Sequence, residues 1–379
     1  MATKTNPRES STWLRTLPRV AALRPAHGVS ASPTCTNDQM PERDCREHVR
    51  EIVRNCPIHA GQREEIEADG RESHGMTSTG FESARTATVN GTTLAYREQR
   101  EGEPVAFVHG GISDLRTWEQ QLPAVGRSYR AIAYSRRFAR PNADIDPGAD
   151  DPMLPHVEDL AAFLRATDAA PAHLVGNSWG AFICLLAAVR HPDVVRTLVI
   201  EEPPVGPLFV STPPRPAELL RLFATRPRTA IGILNFGAKV IAPVQKAFQR
   251  GEDDKALRTF AQGVLGKESF DRLPEARKEQ MRDNLSALRA QMLGAGFPPL
   301  GDDDVRGIRV PVLLVTGELS PPVLLRLTDR LEELLPIVER VEIPGASHGM
   351  HEENAVAVNE AIVRFLGRHR DGLTSPPVP

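Results

Sequence analysis

The stretch LVGNSWGA, residues 174–181, decides how this chain is interpreted. It ends an apolar run and begins the helix-like run WGAFICLLAAVRHP, so a strand is predicted to turn into a helix at Ser178. Gly176 and Gly180 leave room on both sides, where a side chain would collide with the neighbouring strand or helix. The serine is thereby exposed near the positive end of a helix. This G-x-S-x-G pattern is typical of a nucleophile elbow, and the alternative is a tight turn that happens to hold a serine.

A serine hydroxyl is a poor nucleophile at neutral pH and needs a base. His348, in EIPGASHGMH, follows the last predicted strand and precedes the last predicted helix. A loop at this place brings an imidazole to the carboxyl edge of a sheet, so we expect His348 to be that base. His351 is the nearest rival, but it lies on the way into the last helix. The alternative for His348 is a capping or surface histidine.

The loop VHGGISD, after the predicted strand 104–108, supplies the second half of the site. Two consecutive glycines let the backbone approach a substrate closely. We expect the amide of Gly111 to pair with that of Trp179, the residue after the serine, in binding an oxyanion. His109 is expected to organise this loop through hydrogen bonds.

The wider chain alternates strand-like and helical runs, which favours an α/β fold with a mostly parallel sheet covered on both faces. The alternation stops over 205–305, where only helical runs occur, and this predicts a helical cap inserted between two core parts, 81–204 and 306–369. Residues 1–80 lack apolar periodicity and are predicted to be a disordered extension, as is the tail 370–379.

Composition limits the classes of partner. A net charge of −3 gives no general case for a nucleic-acid partner, and no apolar run approaches the length of a membrane span. Four cysteines are too few for a disulfide scaffold, which favours a reducing, cytoplasmic location. The C-x-x-H pairs Cys45/His48 and Cys56/His59 offer zinc-type ligands, but their spacing fits no zinc module. We therefore expect no metal and no cofactor. The expected partner is a small-molecule substrate of apolar character, and a homodimer is compatible with the sequence.

The segments VHGG, GNSWG and GASHG, in this order with a helical insertion before the last, resemble the α/β-hydrolase family over about residues 83–368. Most of that family carries an Asp after the seventh strand, three residues after a glycine. Here Ser320 stands three residues after Gly317, and Glu318 lies nearby. A minority of the family takes its acid from the end of the sixth strand, where this chain has Glu201 and Glu202 in VIEEPP.

The second layout is similar to that of lactone hydrolases of the zearalenone-degrading type. The resemblance therefore implies Glu202 as the catalytic acid, with Glu318 as the alternative. Strand alternation places Glu201 and Glu202 on opposite faces, so only one of them can reach His348.

Together these residues predict a serine hydrolase that acts through Ser178, His348 and Glu202, with an acyl-enzyme intermediate. The residues do not choose the substrate, and the resemblance favours an ester or lactone. The alternatives are a carbon–carbon bond hydrolase using the same triad and a ligand-binding member of the fold without catalysis. Apolar residues of the insertion, such as Ile231, Ile233, Leu234 and Phe236, would either contact an apolar substrate or bury themselves against one another.

Overall fold

The computed structural model describes residues 81, 83–211 and 214–370 of the chain. The strands are β1 (Arg85–Val89), β2 (Thr92–Gln99), β3 (Pro104–Val108), β4 (Arg130–Tyr134), β5 (Ala172–Asn177), β6 (Val195–Glu201), β7 (Val312–Gly317) and β8 (Val338–Ile343). Within the described residues these strands form one sheet in the order β1-β2-β4-β3-β5-β6-β7-β8. Only the pairs that involve β2 are antiparallel in this sheet, so the predicted mostly parallel sheet is confirmed.

The hairpin at Asn90 and Gly91 joins β1 to β2. Both residues have positive φ, 47° and 74°, and Val89 pairs with Thr92 across the turn. Asn-Gly favours this conformation because neither residue is strongly penalised there. The Asn-Gly pair therefore forms the tight turn of a β-hairpin.

The helices cover both faces of the sheet. They are α1 (Gln121–Val125), α2 (Met153–Ala166), α3 (Ser178–Arg190), α4 (Pro216–Thr225), α5 (Pro227–Phe236), α6 (Ala242–Gln249), α7 (Asp253–Leu265), α8 (Lys267–Arg272), α9 (Glu275–Asp283), α10 (Leu285–Leu293), α11 (Asp302–Arg306), α12 (Pro322–Leu334), α13 (Met350–Glu353) and α14 (Ala355–Arg368). Single 3₁₀ turns occupy Leu115–Trp118, Pro192–Val194 and Gly206–Leu208, and a π-helical turn occupies Gly237–Ile241.

Alternate residues of the central strands enter two separate hydrophobic layers. Leu174 and Ile200 pack with α2, α3 and α12, whereas Val175 and Val199 pack with α1 and α14. All six residues of β5 are buried. A parallel strand buried on both faces needs such a nearly continuous apolar run, and this explains why the strand signal was strong in the sequence.

Helices α4 to α10 lie between β6 and β7 in the chain and include a hydrophobic cluster of their own. Ile112, from the loop after β3, packs within this cluster. The expectation for the apolar residues of α5 was wrong in part: Ile231 and Leu234 are 52% and 44% exposed. Of the four apolar residues named from the sequence, Ile233 and Phe236 pack against the core, because α5 turns its other side outward.

The predicted extension 1–80 lies outside the described residues, as does the predicted tail 370–379 apart from Arg370. Across the part of the chain that is described, no helix combines the length and the apolar character required to cross a bilayer.

Candidate active site

The turn from β5 into α3 holds Ser178 in a strained conformation. Its φ is 51°, in the left-handed region that residues with a side chain rarely adopt. A Cβ atom on Gly176 would lie 2.7 Å from the Cα of Ala181, and one on Gly180 would lie 2.2 Å from the carbonyl oxygen of Val108. Glycine is therefore required on both sides of Ser178, because any larger residue would collide with the neighbouring backbone. Such strain persists only where the surroundings enforce it, and it concentrates at functional sites.

The glycine loop after β3 lies directly on this turn. A Cβ atom on Gly110 would be 2.7 Å from Asn177 Oδ1 and 3.3 Å from the Cβ of Ser178. The guanidinium of Arg136 holds the loop by donating to the carbonyl oxygens of His109 at 3.1 Å and of Gly110 at 2.8 Å. Close backbone approach at this loop is the reason that it contains glycine.

His109 organises this loop, as the sequence indicated. The backbone N–H of Arg136 donates to His109 Nε2 at 3.0 Å, so Nδ1 carries the proton and donates to the carbonyl oxygen of Gly110 at 2.9 Å. Burial and the neighbouring Arg136 charge keep the pKa of His109 well below its usual range. His109 is therefore a neutral structural imidazole.

His348 meets a carboxylate across the sheet edge. Its Nδ1 donates to Glu202 Oε2 at 2.7 Å, and the other oxygen, Oε1, accepts from the backbone N–H of Gly317 at 2.9 Å. Both side chains are buried. Glu202 itself has a φ of 43°, a second residue held in the left-handed region at this edge. With Nδ1 protonated and donating, Nε2 of His348 is left to accept a proton.

The alternative acid lies elsewhere. Glu318 Oε2 accepts from the backbone N–H of Gly345 at 2.7 Å in an exposed position. Ser320, which occupies the place where most of the family has an Asp, has a buried hydroxyl without a hydrogen-bond partner among the described residues. Of the two predicted candidates, the structure brings Glu202 to His348.

A second imidazole–carboxylate pair stands beside the first and was missed in the sequence. His351 Nδ1 donates to Glu201 Oε2 at 2.8 Å, and both side chains are buried. Burial alone would lower the pKa of His351, but the charges of Glu201 and Glu352 raise it above its ordinary value. The sequence signals for this pair are the two adjacent glutamates and the two histidines three residues apart.

Ser178 and His348 line one small cavity of about 40 Å³, together with Gly111 and His351. This volume holds only a few water molecules. Its apolar wall includes Phe260, Val264 and Leu265 of α7 and Met281 of α9. Sequence reasoning missed these residues, because helical periodicity does not tell which apolar face of an inserted helix meets the sheet edge.

A much larger cleft adjoins this cavity, with a volume of about 790 Å³. Arg277 and Glu352 line both spaces, and Arg277 Nε donates to both carboxylate oxygens of Glu352, at 2.7 and 2.9 Å. Arg277 also donates to the carbonyl oxygen of Ile112 at 3.2 Å. This ion pair therefore forms part of the wall between the cleft and the serine.

Trp118 is fully buried, with its ring 5.2 Å from Phe107 and 4.5 Å from His351. Trp179 is buried beneath Arg136, whose guanidinium lies 4.5 Å from the ring centre. Both indoles thus pack inside the protein. The backbone amide of Trp179 stands at the second position of α3, where no intrahelical acceptor exists.

Over the described residues, no group of three or more His, Cys, Asp or Glu side chains has the arrangement of a metal site. The pairs Cys45/His48 and Cys56/His59 lie outside the described residues.

A mostly parallel sheet with a strained serine between β5 and α3, a glycine loop after β3 and a histidine after β8 defines the α/β-hydrolase class. A model described as the alpha/beta hydrolase family matches residues 105–361. Since this match spans more than half of the chain, the protein belongs to the alpha/beta hydrolase family.

Three relatives illustrate the likeness. The 2-(acetamidomethylene)succinate hydrolase of Mesorhizobium japonicum is 25% identical over 291 residues, covering 75% of this chain and 95% of that protein. The non-heme haloperoxidase of Rhodococcus erythropolis is 26% identical over 289 residues, covering 73% and 97%. The crystal structure of an esterase from Rhodococcus sp. ECU1013 shares 22% identity with a TM-score of 0.58, covering 76% and 100%. The structural likeness concerns the fold.

Proposed function

We propose that the protein is a serine hydrolase that cleaves an ester or lactone through Ser178, His348 and Glu202. The observation that carries this proposal is the buried contact of 2.7 Å between His348 Nδ1 and Glu202 Oε2, next to a cavity that Ser178 and His348 line together. In this proposal the hydroxyl, the imidazole and the carboxylate act in the order that acyl transfer requires.

In the proposed reaction, Nε2 of His348 removes the hydroxyl proton as Ser178 Oγ attacks the substrate carbonyl. The backbone amides of Gly111 and Trp179 hold the oxyanion. His348 returns the proton to the leaving oxygen, and the acyl group stays on Ser178. A water molecule, deprotonated by His348, then releases the acid and restores the serine. Glu202 keeps the imidazole in the tautomer with Nδ1 protonated and stabilises its cationic form.

We also propose that helices within 205–305 act as a cap over this site, with 81–204 and 306–369 as the core. Phe260, Val264 and Leu265 of α7 already lie against the serine cavity. A cavity of about 40 Å³ is too small for an ester substrate, whereas ligand sites usually measure about 300–1,000 Å³. The substrate therefore reaches Ser178 from the cleft of about 790 Å³, past Arg277 and Glu352.

A fluorophosphonate probe tests the proposal, because it labels only an activated serine. We expect stoichiometric labelling of the wild type, none of Ser178→Ala, and turnover of activated esters by the wild type alone. A folded wild type that neither reacts with the probe nor hydrolyses any ester or lactone of a broad panel would contradict the proposal and favour a ligand-binding role.

A further inference from the structure

The pair formed by Glu201 and His351 belongs to a chain of buried and partly buried hydrogen bonds that the proposed reaction does not use. Beyond the contact between His351 Nδ1 and Glu201, His351 Nε2 lies 3.2 Å from the hydroxyl oxygen of Thr117. That hydroxyl donates in turn to Glu352 Oε1, which is paired with Arg277. The chain runs from the end of β6 to helix α9.

The protonation state of His351 follows from the number of protons available. A threonine hydroxyl has one proton, and the proton of Thr117 is given to the Glu352 carboxylate. In this arrangement Thr117 meets Nε2 as an acceptor, which favours a proton on Nε2. Since Nδ1 also donates, to Glu201, the geometry favours an imidazolium between two carboxylates, in agreement with the raised pKa of His351.

Asn177 connects this chain to the proposed catalytic residues. Its Nδ2 donates to Glu201 Oε2 and to the backbone carbonyl oxygen of His348, both at 3.2 Å. Asn177 immediately precedes Ser178, so a single amide group joins the turn that carries the serine to the loop that carries the histidine. Glu201 is the carboxylate that orients this amide.

We propose that Asn177, Glu201 and His351 form a positioning group, in which the imidazolium of His351 fixes the Glu201 carboxylate and Glu201 fixes Asn177 between Ser178 and His348. The proposal rests on the hydrolase function proposed above. Both ring nitrogens of His351 are occupied by protein groups, so His351 acts on the reaction only through Asn177 and not on the substrate.

The second pair also explains why two adjacent glutamates can coexist at this edge. Glu201 extends the β6 face that carries Val199, toward α13 and α14, whereas Glu202 lies past the strand and turns to His348. With Glu201 neutralised by its own cation, the carboxylate of Glu202 alone serves His348. An unpaired buried carboxylate beside it would be costly.

The experiment compares Glu201→Gln, His351→Gln and the double variant with the wild type. The first substitution preserves volume and an acceptor oxygen while removing the charge. We expect each single variant to lower kcat and the rate of fluorophosphonate labelling at least about tenfold, with KM changed less than about twofold, because only the placement of the reacting groups is affected. The double variant should be no slower than the slower single variant, because the two residues act as one unit.

His173→Gln is the matched control. His173 is a fully buried histidine whose Nδ1 lies 2.8 Å from the hydroxyl oxygen of Thr197 and whose Nε2 lies 3.1 Å from a carboxylate oxygen of Glu103, at the opposite end of the sheet. We expect this variant to keep kcat within about twofold of the wild type. Thermal melting of every variant identifies those that fold.

Nitrogen-15 NMR of the histidines adds a measurement on the wild type, which does not depend on whether any variant folds. We expect His351 of the wild type to have both ring nitrogens protonated at pH 7.5, and to lose one proton in Glu201→Gln. A neutral His351 in the wild type overturns the proposal, as does full kcat in a folded Glu201→Gln or His351→Gln, or a double variant whose loss is the product of the single losses. If the wild type itself fails to label or to turn over esters, the hydrolase function fails instead, and the NMR result still decides the state of His351.

Discussion

Two buried histidines lie at opposite ends of the neighbouring strands β5 and β6. They have the same kinds of partner, but their pKa values are shifted in opposite directions. At the amino end, burial lowers the pKa of His173 to about 4, and Glu103 does not offset this effect. At the carboxyl end, burial also opposes the charge on His351, but Glu201 and Glu352 raise its pKa. Histidines with similar partners therefore differ in their affinity for a proton according to the edge of the sheet at which they lie.

The difference lies in the carboxylates. Glu103 remains 19% exposed and is shared with Arg196 at 3.3 Å and Arg370 at 3.8 Å, and its effect on the pKa of His173 is smaller than that of burial. Glu201 is fully buried, and its Oε2 accepts from His351 and from Asn177. A buried charge is costly unless it is paired, and the carboxyl edge of the sheet pairs two such carboxylates with two histidines. This concentration of paired charge distinguishes the candidate site from ordinary core packing.

The largest effect expected from this comparison concerns the two acid candidates at the carboxyl edge. Glu202→Gln should lower kcat for an activated ester on the order of 10³-fold, because the amide no longer stabilises the imidazolium of His348. Glu318→Gln should keep kcat within about twofold, since Glu318 is exposed and bound to the backbone of Gly345. Steady-state kinetics on both purified variants measures this, and a greater loss in Glu318→Gln would assign the acid to the seventh strand after all.

The stability contributed by His173 and by His351 should change with pH in opposite directions, because their pKa values are shifted in opposite directions. The pKa of His173 is lowered from 6.5 to about 4, so the stability that comes from keeping it neutral is present above pH 6.5 and is lost as the pH falls toward 4, by about 3 kcal/mol in all. The advantage of wild type over His173→Gln should therefore shrink in acid. The charged and titratable groups around His173 are Glu103, Arg196 and His369.

For His351 the sign is reversed. Its pKa is raised, so its stabilising proton is fully bound below pH 6.5 and is lost as the pH rises through the folded-state pKa. The advantage of wild type over Glu201→Gln should therefore grow as the pH falls from 9 to 6.5. Glu201, Glu352 and Arg277 are the charges that face this imidazole. Urea unfolding at several pH values measures how the difference in unfolding free energy between the wild type and each variant changes with pH. A change of the same sign for both variants would refute the distinction between the two ends.

The smallest effect concerns the wall between the serine cavity and the cleft. Arg277→Ala should raise the ratio of kcat/KM for a long-chain ester to that for an acetate ester by about three- to tenfold, because removing the guanidinium joins the two spaces. Because both esters are affected equally, this ratio cancels any general loss of activity that results when Glu352 loses its ion-pair partner Arg277. Arg272→Ala is the control, since Arg272 lines the cleft without lining the serine cavity. An unchanged ratio in Arg277→Ala would show that substrate enters by another route.

Local sequence signals were sufficient for the elements that carry the site. The hairpin at Asn90 and Gly91 and the turn at Ser178 depend on residues adjacent in the chain, where steric limits on φ and on close approach act directly. The alternating burial in the central strands likewise follows from a period of two. These signals do not require knowledge of what packs against each element.

The cavity-lining residues of α7 and α9 could not be found in this way. Phe260 and Met281 show ordinary helical spacing, and only the docking of their helices over the sheet edge separates them from exposed Ile231. The pairing of Glu201 with His351 was missed for the same reason: alternation gives the face of a side chain and not the partner that reaches it.

By itself, the sequence determined the sheet, the strained turn that exposes Ser178 and the histidine after the last strand, because each of these depends on local sterics and periodicity. Only the tertiary structure decided which glutamate meets which histidine, how a buried charge is balanced and which helices enclose the serine. These depend on distances of a few ångströms between residues far apart in the chain, and on the solvent excluded between them, which no local pattern records.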